Sequence, residues 1–199
     1  MKILLLLSGG LDSVTLAHYY KQGSYLECMF FDYGQTHLKE VIAARNVCKQ
    51  LNIKLHECKL PSVFVDSALV GSKPIPHGDG DANIVPNRNM VMISAATAFC
   101  LQNDMDAVAI GCNDDDTQHG FPDCSKPFLR SMRDAMRFCH TRPIALLAPF
   151  IHKEMTKSDV VVWAKKLNVD IESTWSCYKG AKEPCNECAA CKLRNEALR

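Results

Sequence analysis

The chain has 199 residues, of which 47% are hydrophobic and 23% are charged, a composition typical of one globular domain with a substantial core. Its net charge is +1 and its pI is about 7.5, so the bulk electrostatics do not favour a nucleic-acid partner. The first apolar run, Ile3 to Leu7, has five residues; because this is too short for a signal peptide or a membrane span, we expect a cytoplasmic protein with no membrane partner.

The first predicted elements form a strand, a loop and a helix over Ile3 to Thr15, ILLLLSGGLDSVT. The unbroken apolar run predicts a strand buried on both faces, as in a parallel sheet, and Leu11 to Tyr20 predicts a helix. Gly9 and Gly10 permit a sharp turn between them. Backbone amides, hydroxyls and the positive end of the helix dipole would converge there on an anion. The hydroxyl donors of the segment are Ser8, Ser13 and Thr15.

This loop is predicted to bind phosphate without a lysine, because no lysine lies between Lys2 and Lys21. Asp12 would repel phosphate directly, so we expect it to act through Mg²⁺ or to orient the loop. The alternative is a serine-glycine turn capped by Asp12 or Ser13.

A second strand is predicted over Tyr25 to Phe31, and Asp32 follows at its carboxyl end. In a doubly wound sheet this position lies beside the first loop, so Asp32 is a candidate ligand for an ATP hydroxyl or for Mg²⁺. The alternative is an ordinary turn built on Asp and Gly. A helix is predicted over Thr36 to Leu51 and a third strand over Lys54 to Leu60.

Glycines and prolines are frequent between about Pro61 and Pro86. A long stretch of helix and strand breakers inside a compact domain is typical of a functional loop or a surface excursion. We therefore consider two hypotheses for this segment: a lid over the site, or an ordinary surface loop.

Arg88 stands at the head of a segment that is apolar on every side, MVMISAATAFCL, which predicts a buried helix. A buried arginine needs a partner. The fork of its guanidinium suits a phosphate or a substrate carboxylate. The alternative is a structural salt bridge.

The remaining elements alternate strand and helix. A strand is predicted over Asp106 to Gly111, and three aspartates at 114–116 then form either a metal-binding or a solvated loop. An amphipathic helix is predicted over Lys126 to His140, and the last strand over Ile144 to Pro149. A capping box at 156–159 predicts a helix through Leu167. The inward face predicted for the amphipathic helix consists of Phe128, Met132, Ala135, Met136 and Cys139.

Four of the eleven cysteines cluster at the C-terminus, with the spacing C-x7-C-x2-C-x2-C. Four thiolates can close tetrahedrally around Zn²⁺ and leave no open position, which predicts a structural metal. An iron–sulfur cluster would typically continue with C-x3-C-P, which is missing. Incidental free thiols are the third possibility. The predicted ligands are Cys177, Cys185, Cys188 and Cys191.

SGGLDS resembles the pyrophosphate loop of the N-type ATP pyrophosphatases (the PP-loop superfamily), and over nearly its whole length the chain resembles the QueC family of 7-cyano-7-deazaguanine synthases. The resemblance extends to FDYGQ, to VP-x-RN at Arg88 and Asn89, to FPDC at 121–124, and to WSCYKG-x4-C-x2-CAAC-x-LR at the C-terminus. It implies a doubly wound parallel α/β fold of Rossmann-like type, with an ATP pyrophosphatase domain over 1–170 and a zinc-binding region over 171–199.

The resemblance also implies an activity: ATP-dependent conversion of 7-carboxy-7-deazaguanine and ammonia to 7-cyano-7-deazaguanine, through adenylate and amide intermediates. It implies Mg²⁺ with ATP, ammonia that arrives free, and a homodimer. The implied catalytic residues are Asp12, Arg88 and Lys157. Those for ATP are Ser8, Gly9, Gly10, Leu11, Asp12, Ser13 and Asp32. Those for the substrate are Tyr33, Gln35, Arg88, Asn89, Phe121, Asp123 and Cys124.

Several alternatives remain open. Cys124 is either a nucleophile or a packing residue, and Lys153 is an alternative to Lys157. The lead-in Thr117 to Gly120 departs from the family pattern and carries an extra residue, so an amide-forming synthetase is the first alternative activity. The others are a tRNA-modifying ATP pyrophosphatase and a zinc-dependent nucleotide-binding module without turnover.

Overall fold

The computed structural model describes residues 1–35, 38–60, 64, 67, 69–70, 84–118 and 120–199. In this part of the chain, five parallel strands form one sheet with the order β3-β2-β1-β4-β5. The strands are β1 (Lys2–Leu6), β2 (Tyr25–Asp32), β3 (Lys54–Lys59), β4 (Ala107–Ala109) and β5 (Ala145–Leu147). The predicted doubly wound parallel fold is confirmed.

Helices connect the strands and cover both faces of the sheet. They are α1 (Leu11–Lys21), α2 (Lys39–Leu51), α3 (Arg88–Gln102), α4 (Asp114–Gln118), α5 (Lys126–Cys139), α6 (Pro149–His152), α7 (Lys157–Lys166) and α8 (Ala189–Ala197). The capping box predicted for α7 is present, because the Thr156 and Asp159 side chains each accept the other residue's backbone N–H.

The central strand β1 supplies both halves of the core. Leu4 and Leu6 face the side that α3 and α5 cover, whereas Ile3, Leu5 and Leu7 face the side of α1, α2 and α7. The order in which strands are added reverses at β1, since β2 and β3 lie on one side of it and β4 and β5 on the other. Strands β1 and β4 pair in parallel, with Ile3 opposite Ala107. The loops after these two strands therefore meet at a topological switch point, where open α/β sheets bind their ligands.

Three local predictions were wrong. Helix α3 is not buried all round: it packs on one face of the sheet, and Met90 on its outer side is 46% exposed. The aspartates at 114–116 lie in the short helix α4 rather than in an open loop. On α5, Ala135 and Cys139 are exposed and Leu129 is buried, because the inward face is rotated from the predicted one.

Most of the segment proposed as a lid, residues 61–83 apart from Phe64, Ser67, Leu69 and Val70, lies outside the described residues. The same holds for Thr36, at the predicted start of α2, and for His119 in the altered lead-in. The division at residue 170 stays a prediction.

The loop between β1 and α1 requires glycine at position 9. Its φ is +82°, in the left-handed region, and a Cβ built on it would lie 2.4 Å from the backbone oxygen of Glu40. The carbonyl of Gly9 also accepts a hydrogen bond from the backbone N–H of Trp175, at 3.0 Å. The loop is therefore held between the start of α2 and the C-terminal segment.

Replacing Gly9 with alanine should lower the free energy of unfolding by roughly 2 kcal/mol or more, because a left-handed alanine is strained and its Cβ would meet backbone. Gly23→Ala is the matched control, since a Cβ there has nothing within 4 Å. Urea denaturation of both variants measures the effect. Equal midpoints for the two variants would contradict it.

Candidate functional site

The hydroxyls of the first loop are arranged at the N-terminus of α1. Ser8 Oγ lies 3.1 Å from Ser13 Oγ and accepts from the amide of Gly10 at 3.2 Å, while Ser13 Oγ lies 3.1 Å from the Gly10 carbonyl to which it donates. The amides of the first helical turn have no intrahelical acceptor. Thr15, by contrast, is fully buried and donates to the Leu11 carbonyl, so the prediction that its hydroxyl faces a phosphate was wrong.

Lys157 reaches this loop from the start of α7. Its Nζ lies 2.5 Å from Asp12 Oδ2, and its side chain is 10% exposed. Its backbone N–H donates to Asp115 Oδ2. Lys153, the alternative, instead lies over the ring of Trp163 with Nζ 4.3 Å from the centroid.

Two acidic side chains surround the lysine. Asp12 Oδ1 is buried and accepts no hydrogen bond from the described residues, so this oxygen is available to a cation. Burial, together with the charge of Asp12, raises the pKa of Asp116 to about 6, and Lys157 opposes the rise. The sequence showed Asp116 only as one member of an acidic run.

Two adjoining cavities lie at the switch point, with volumes of about 240 and 180 Å³. Asp12, Lys157 and the first loop line the smaller one, and Arg88, Asn89 and Cys124 line the larger. The two share as lining residues Ser8, Asp12, Glu40, Asp116, Phe121 and Tyr178. The structure therefore brings the predicted phosphate loop and most of the predicted substrate residues to one continuous opening.

Arg88 faces the larger cavity from the first turn of α3. Its Nη1 donates to the Tyr33 hydroxyl at 3.2 Å, and its guanidinium carbon lies 5.6 Å from the centre of that ring. Burial would lower the pKa of Arg88, but the pKa is raised overall by electrostatic interaction with the ionisable side chains of Tyr33, Cys124, Glu40 and Asp123. It remains a cation in this setting.

The residues after β2 divide between the cavity wall and the turn. Gln35 lines the larger cavity, but its side-chain amide also closes its own turn, accepting from Tyr33 N and donating to the Phe31 carbonyl. Asp32 accepts from the Gly34 amide at 3.2 Å and is not among the residues lining either cavity. Its assignment to ATP stays a prediction.

Asn89 and Asp123 fasten the start of α3 to the 121–124 turn. Asp123 Oδ2 accepts from the Asn89 backbone N–H at 3.0 Å. The Asn89 side-chain amide donates to the Asp123 carbonyl at 3.2 Å and to Cys124 Sγ at 3.3 Å. One carboxylate oxygen of Asp123 is therefore committed to this junction. Asp123 does not line either cavity.

Two residues that line both cavities, Glu40 and Tyr178, were not among the predicted site residues. Burial raises the pKa of Glu40 to about 7, and the charge of Arg88 opposes the rise. Burial also raises the pKa of Tyr178. Glu40 resembles any acidic residue in a helical first turn, and Tyr178 comes from the far end of the chain. Their only sequence signal is proximity to FDYGQ and to Cys177.

The four C-terminal cysteines form a compact cluster, with all four sulfur atoms within 4.8 Å of one another. Backbone N–H groups of Lys179 and Cys185 donate to Cys177 Sγ at 3.4 Å, and that of Cys188 donates to Cys185 Sγ at the same distance. Such donors favour thiolate sulfur. The cluster can hold a metal ion with four protein ligands.

This cluster is connected to the first loop. The indole of Trp175 donates to the Cys177 carbonyl at 2.8 Å, and its backbone N–H donates to Gly9. Arg194 of α8 donates to Thr174 and Ile171.

In the described part of the chain, helices are all too short or too polar to cross a membrane.

A family model described as queuosine biosynthesis protein QueC matches residues 2–199. Curated relatives named 7-cyano-7-deazaguanine synthase include one from Archaeoglobus fulgidus, 35% identical over 100% of this chain and 86% of its own length. Another, from Desulfotalea psychrophila, is 36% identical over 98% of this chain and 93% of its own length.

Solved structures share the fold at lower identity. The U34-tRNA thiolase NcsA from Methanococcus maripaludis, with its [4Fe-4S] cluster, has a TM-score of 0.57 and 18% identity, covering 99% of this chain. An NH3-dependent NAD synthetase from Campylobacter jejuni has a TM-score of 0.53 and 15% identity, covering 86% of this chain. The present chain spans 64% and 66% of these two proteins.

Replacing Glu40 with glutamine should change how stability depends on pH. Because the folded-state pKa of about 7 lies above the ordinary 4.5, the folded protein binds this proton more tightly than the unfolded chain, and stability is lost as pH rises from about 4.5 to 7. The variant should therefore be more stable than the wild type at pH 8, by on the order of 2 kcal/mol, and nearly equal to it at pH 4.

Denaturation at several pH values measures this difference, with the exposed Glu196→Gln as control. A wild-type profile that Glu40→Gln leaves unchanged would show that the carboxyl is not held in its buried setting.

Proposed function

Because this chain belongs to the family of the queuosine biosynthesis protein QueC and is therefore an ATP-dependent ligase, we propose that it converts 7-carboxy-7-deazaguanine and ammonia to 7-cyano-7-deazaguanine. The main support is that relatives named for this activity match the chain over 98–100% of its length at 35–36% identity. The continuous opening from the first loop to Arg88 suits a nucleotide beside a small carboxylate.

The reaction needs two activations. In the first, a carboxylate oxygen of the substrate attacks the α-phosphorus of ATP, and pyrophosphate leaves. Ammonia then attacks the acyl carbon, AMP departs with the carboxylate oxygen, and a proton is released to give the amide. In the second, the amide oxygen attacks the α-phosphorus of another ATP, and pyrophosphate leaves. Departure of AMP with that oxygen and loss of two protons from nitrogen then give the nitrile.

The first loop is the proposed phosphate site. Helix α1 directs unpaired amides toward an anion, and the Ser8 and Ser13 hydroxyls lie beside them. Lys157 is the nearest cation in the described wall, and it would stabilise charge that develops on the phosphates. The Asp12 carboxylate holds the side-chain ammonium group of Lys157 in place, and its unpaired Oδ1 fits Mg²⁺. That ion would supply further neutralisation of phosphate charge.

The larger cavity is the proposed substrate site. The Arg88 guanidinium would pair with the substrate carboxylate, and the ring of Phe121 offers a face for stacking on the base. Asn89 holds the start of α3, which carries Arg88, against the turn that carries Phe121. Tyr33, Gln35 and Cys124 also line this cavity. Asp123, committed through one oxygen to Asn89, could contribute to base recognition only with the other.

The C-terminal cysteines are proposed to bind a structural Zn²⁺. Four thiolates satisfy a tetrahedral zinc ion completely and leave no position for water, and the backbone donors to sulfur suit that charge. Its effect at the site would be positional, through Trp175 and Gly9. We also propose that the protein works as a homodimer, takes ammonia from solution and requires no nucleic acid.

The direct test is the mass of the product after incubation with 7-carboxy-7-deazaguanine, ATP, Mg²⁺ and ammonium, with AMP measured in parallel. The proposal predicts the nitrile and two AMP per product. An amide with one AMP would assign the chain to an amide-forming synthetase instead, the alternative that the altered lead-in at 117–120 keeps open. Absence of turnover would overturn the substrate assignment.

Lys157→Gln should reduce the rate of AMP formation by roughly two orders of magnitude. One well-placed hydrogen-bond donor stabilises a charged transition state by about 3 kcal/mol. Lys153→Gln is the matched control, since that ammonium lies over Trp163 and away from the loop. AMP release under saturating ATP gives the comparison. Equal losses in both variants would contradict the assignment to Lys157.

A further inference from the structure

A second group of metal-ligating side chains lies outside the C-terminal cluster. Cys112 Sγ, Cys124 Sγ and a carboxylate oxygen of Asp116 all lie within 4.8 Å of one another. The four C-terminal sulfurs meet the same distance limit. Cys112 and Cys124 are 5% and 7% exposed, and all three residues line the larger cavity.

One short segment brings the three together. Cys112 follows β4, Asp116 lies in α4, and Cys124 ends the 3-10 turn Pro122–Cys124. Hydrogen bonds within the segment fold it back: the Asn113 amide donates to Asp116 Oδ2, and the Phe121 amide to the Asp116 carbonyl. These hydrogen bonds, made within the segment, bring the three ligands to one side of it.

Asn89 supplies an independent observation, a hydrogen-bond donor directed at both sulfurs from outside the cluster. Its Nδ2 donates to Cys124 Sγ at 3.3 Å and approaches Cys112 Sγ at 3.9 Å. The Asp123 carbonyl accepts from the same nitrogen, which fixes the orientation of the amide. A buried N–H directed at two sulfurs is the kind of outer contact that orients thiolate ligands.

The charges also balance when a divalent cation is present. Two thiolates, one carboxylate and a divalent ion leave one net negative charge. Arg88 interacts electrostatically with both Cys124 and Asp116 and so favours that remaining negative charge. Without a cation, the two buried thiols would have to stay protonated, because buried thiolates would lack a counter-charge.

We propose that Cys112, Asp116 and Cys124 form a second metal site, for a thiophilic divalent cation such as Zn²⁺, in the wall of the larger cavity. Sulfur ligands disfavour Mg²⁺ and Ca²⁺. Three protein ligands leave a fourth position on the cavity side for water or an oxygen donor of a bound molecule, which distinguishes this site from the four-cysteine cluster. The proposal does not depend on the identity of the substrate.

The test counts metal in the reduced full-length protein. After equilibration with Zn²⁺ or Co²⁺ and removal of loosely bound ions, elemental analysis should give about two metal ions per chain. Cys112→Ser and Cys112→Val should each retain about one, and Asp116→Asn should release the second ion at lower chelator concentration. Cys58→Ser, a cysteine outside both clusters, should retain two.

The Co²⁺ form supplies a second readout, because sulfur-to-cobalt charge-transfer absorption reports thiolate ligation directly. The difference between wild type and Cys112→Val should contain such a band, and circular dichroism should show that both proteins are folded. Cys188→Ser, which disrupts the other cluster, should leave this band in place.

One metal per chain in the wild type would overturn the proposal, as would two metals in both Cys112 variants. Loss of two titratable thiols without metal, which indicates a disulfide between Cys112 and Cys124, would overturn it as well.

Discussion

The site depends on how closely three backbone segments approach one another at Gly9. The first loop turns there in the left-handed region, the start of α2 lies where a Cβ would be, and Trp175 donates to its carbonyl. Because these contacts are made by backbone atoms, they fix the N-terminus of α1 in space whatever side chains surround it. The proposed phosphate site depends on that position, since unpaired amides and the helix dipole act only over short distances.

Around this frame, the wall carries more acidic than basic side chains. Asp12, Asp116 and Glu40 face one lysine and one arginine in the described part of the opening. Burial makes each negative charge costly, which is why the pKa values of Asp116 and Glu40 are raised. Phosphates would add further negative charge. Cations are therefore the groups that such a site lacks, and both the unpaired oxygen of Asp12 and the cysteine ligands can be understood in that way.

The features that could be predicted from the sequence are those that a short segment specifies by itself. The strand and glycine loop, the capping box of α7 and the spacing of the four cysteines are local patterns, and each appears as predicted. Glu40 and Tyr178 could not be found because their role depends on elements far apart in the chain meeting at one point. The prediction for helix α3 was wrong for a related reason. An apolar sequence such as that around Met90 shows which side chains could be buried, but a helix that packs on one face of a sheet keeps its other side in contact with water.

Gly9 and Trp175 are 166 positions apart in the printed sequence, yet one hydrogen bond joins them. During synthesis the ribosome releases the first loop long before the segment that completes its support. The support of the loop by this hydrogen bond can form only after Trp175 has been synthesised. A chain that lacks Trp175 and the residues after it would therefore have the first loop without this support.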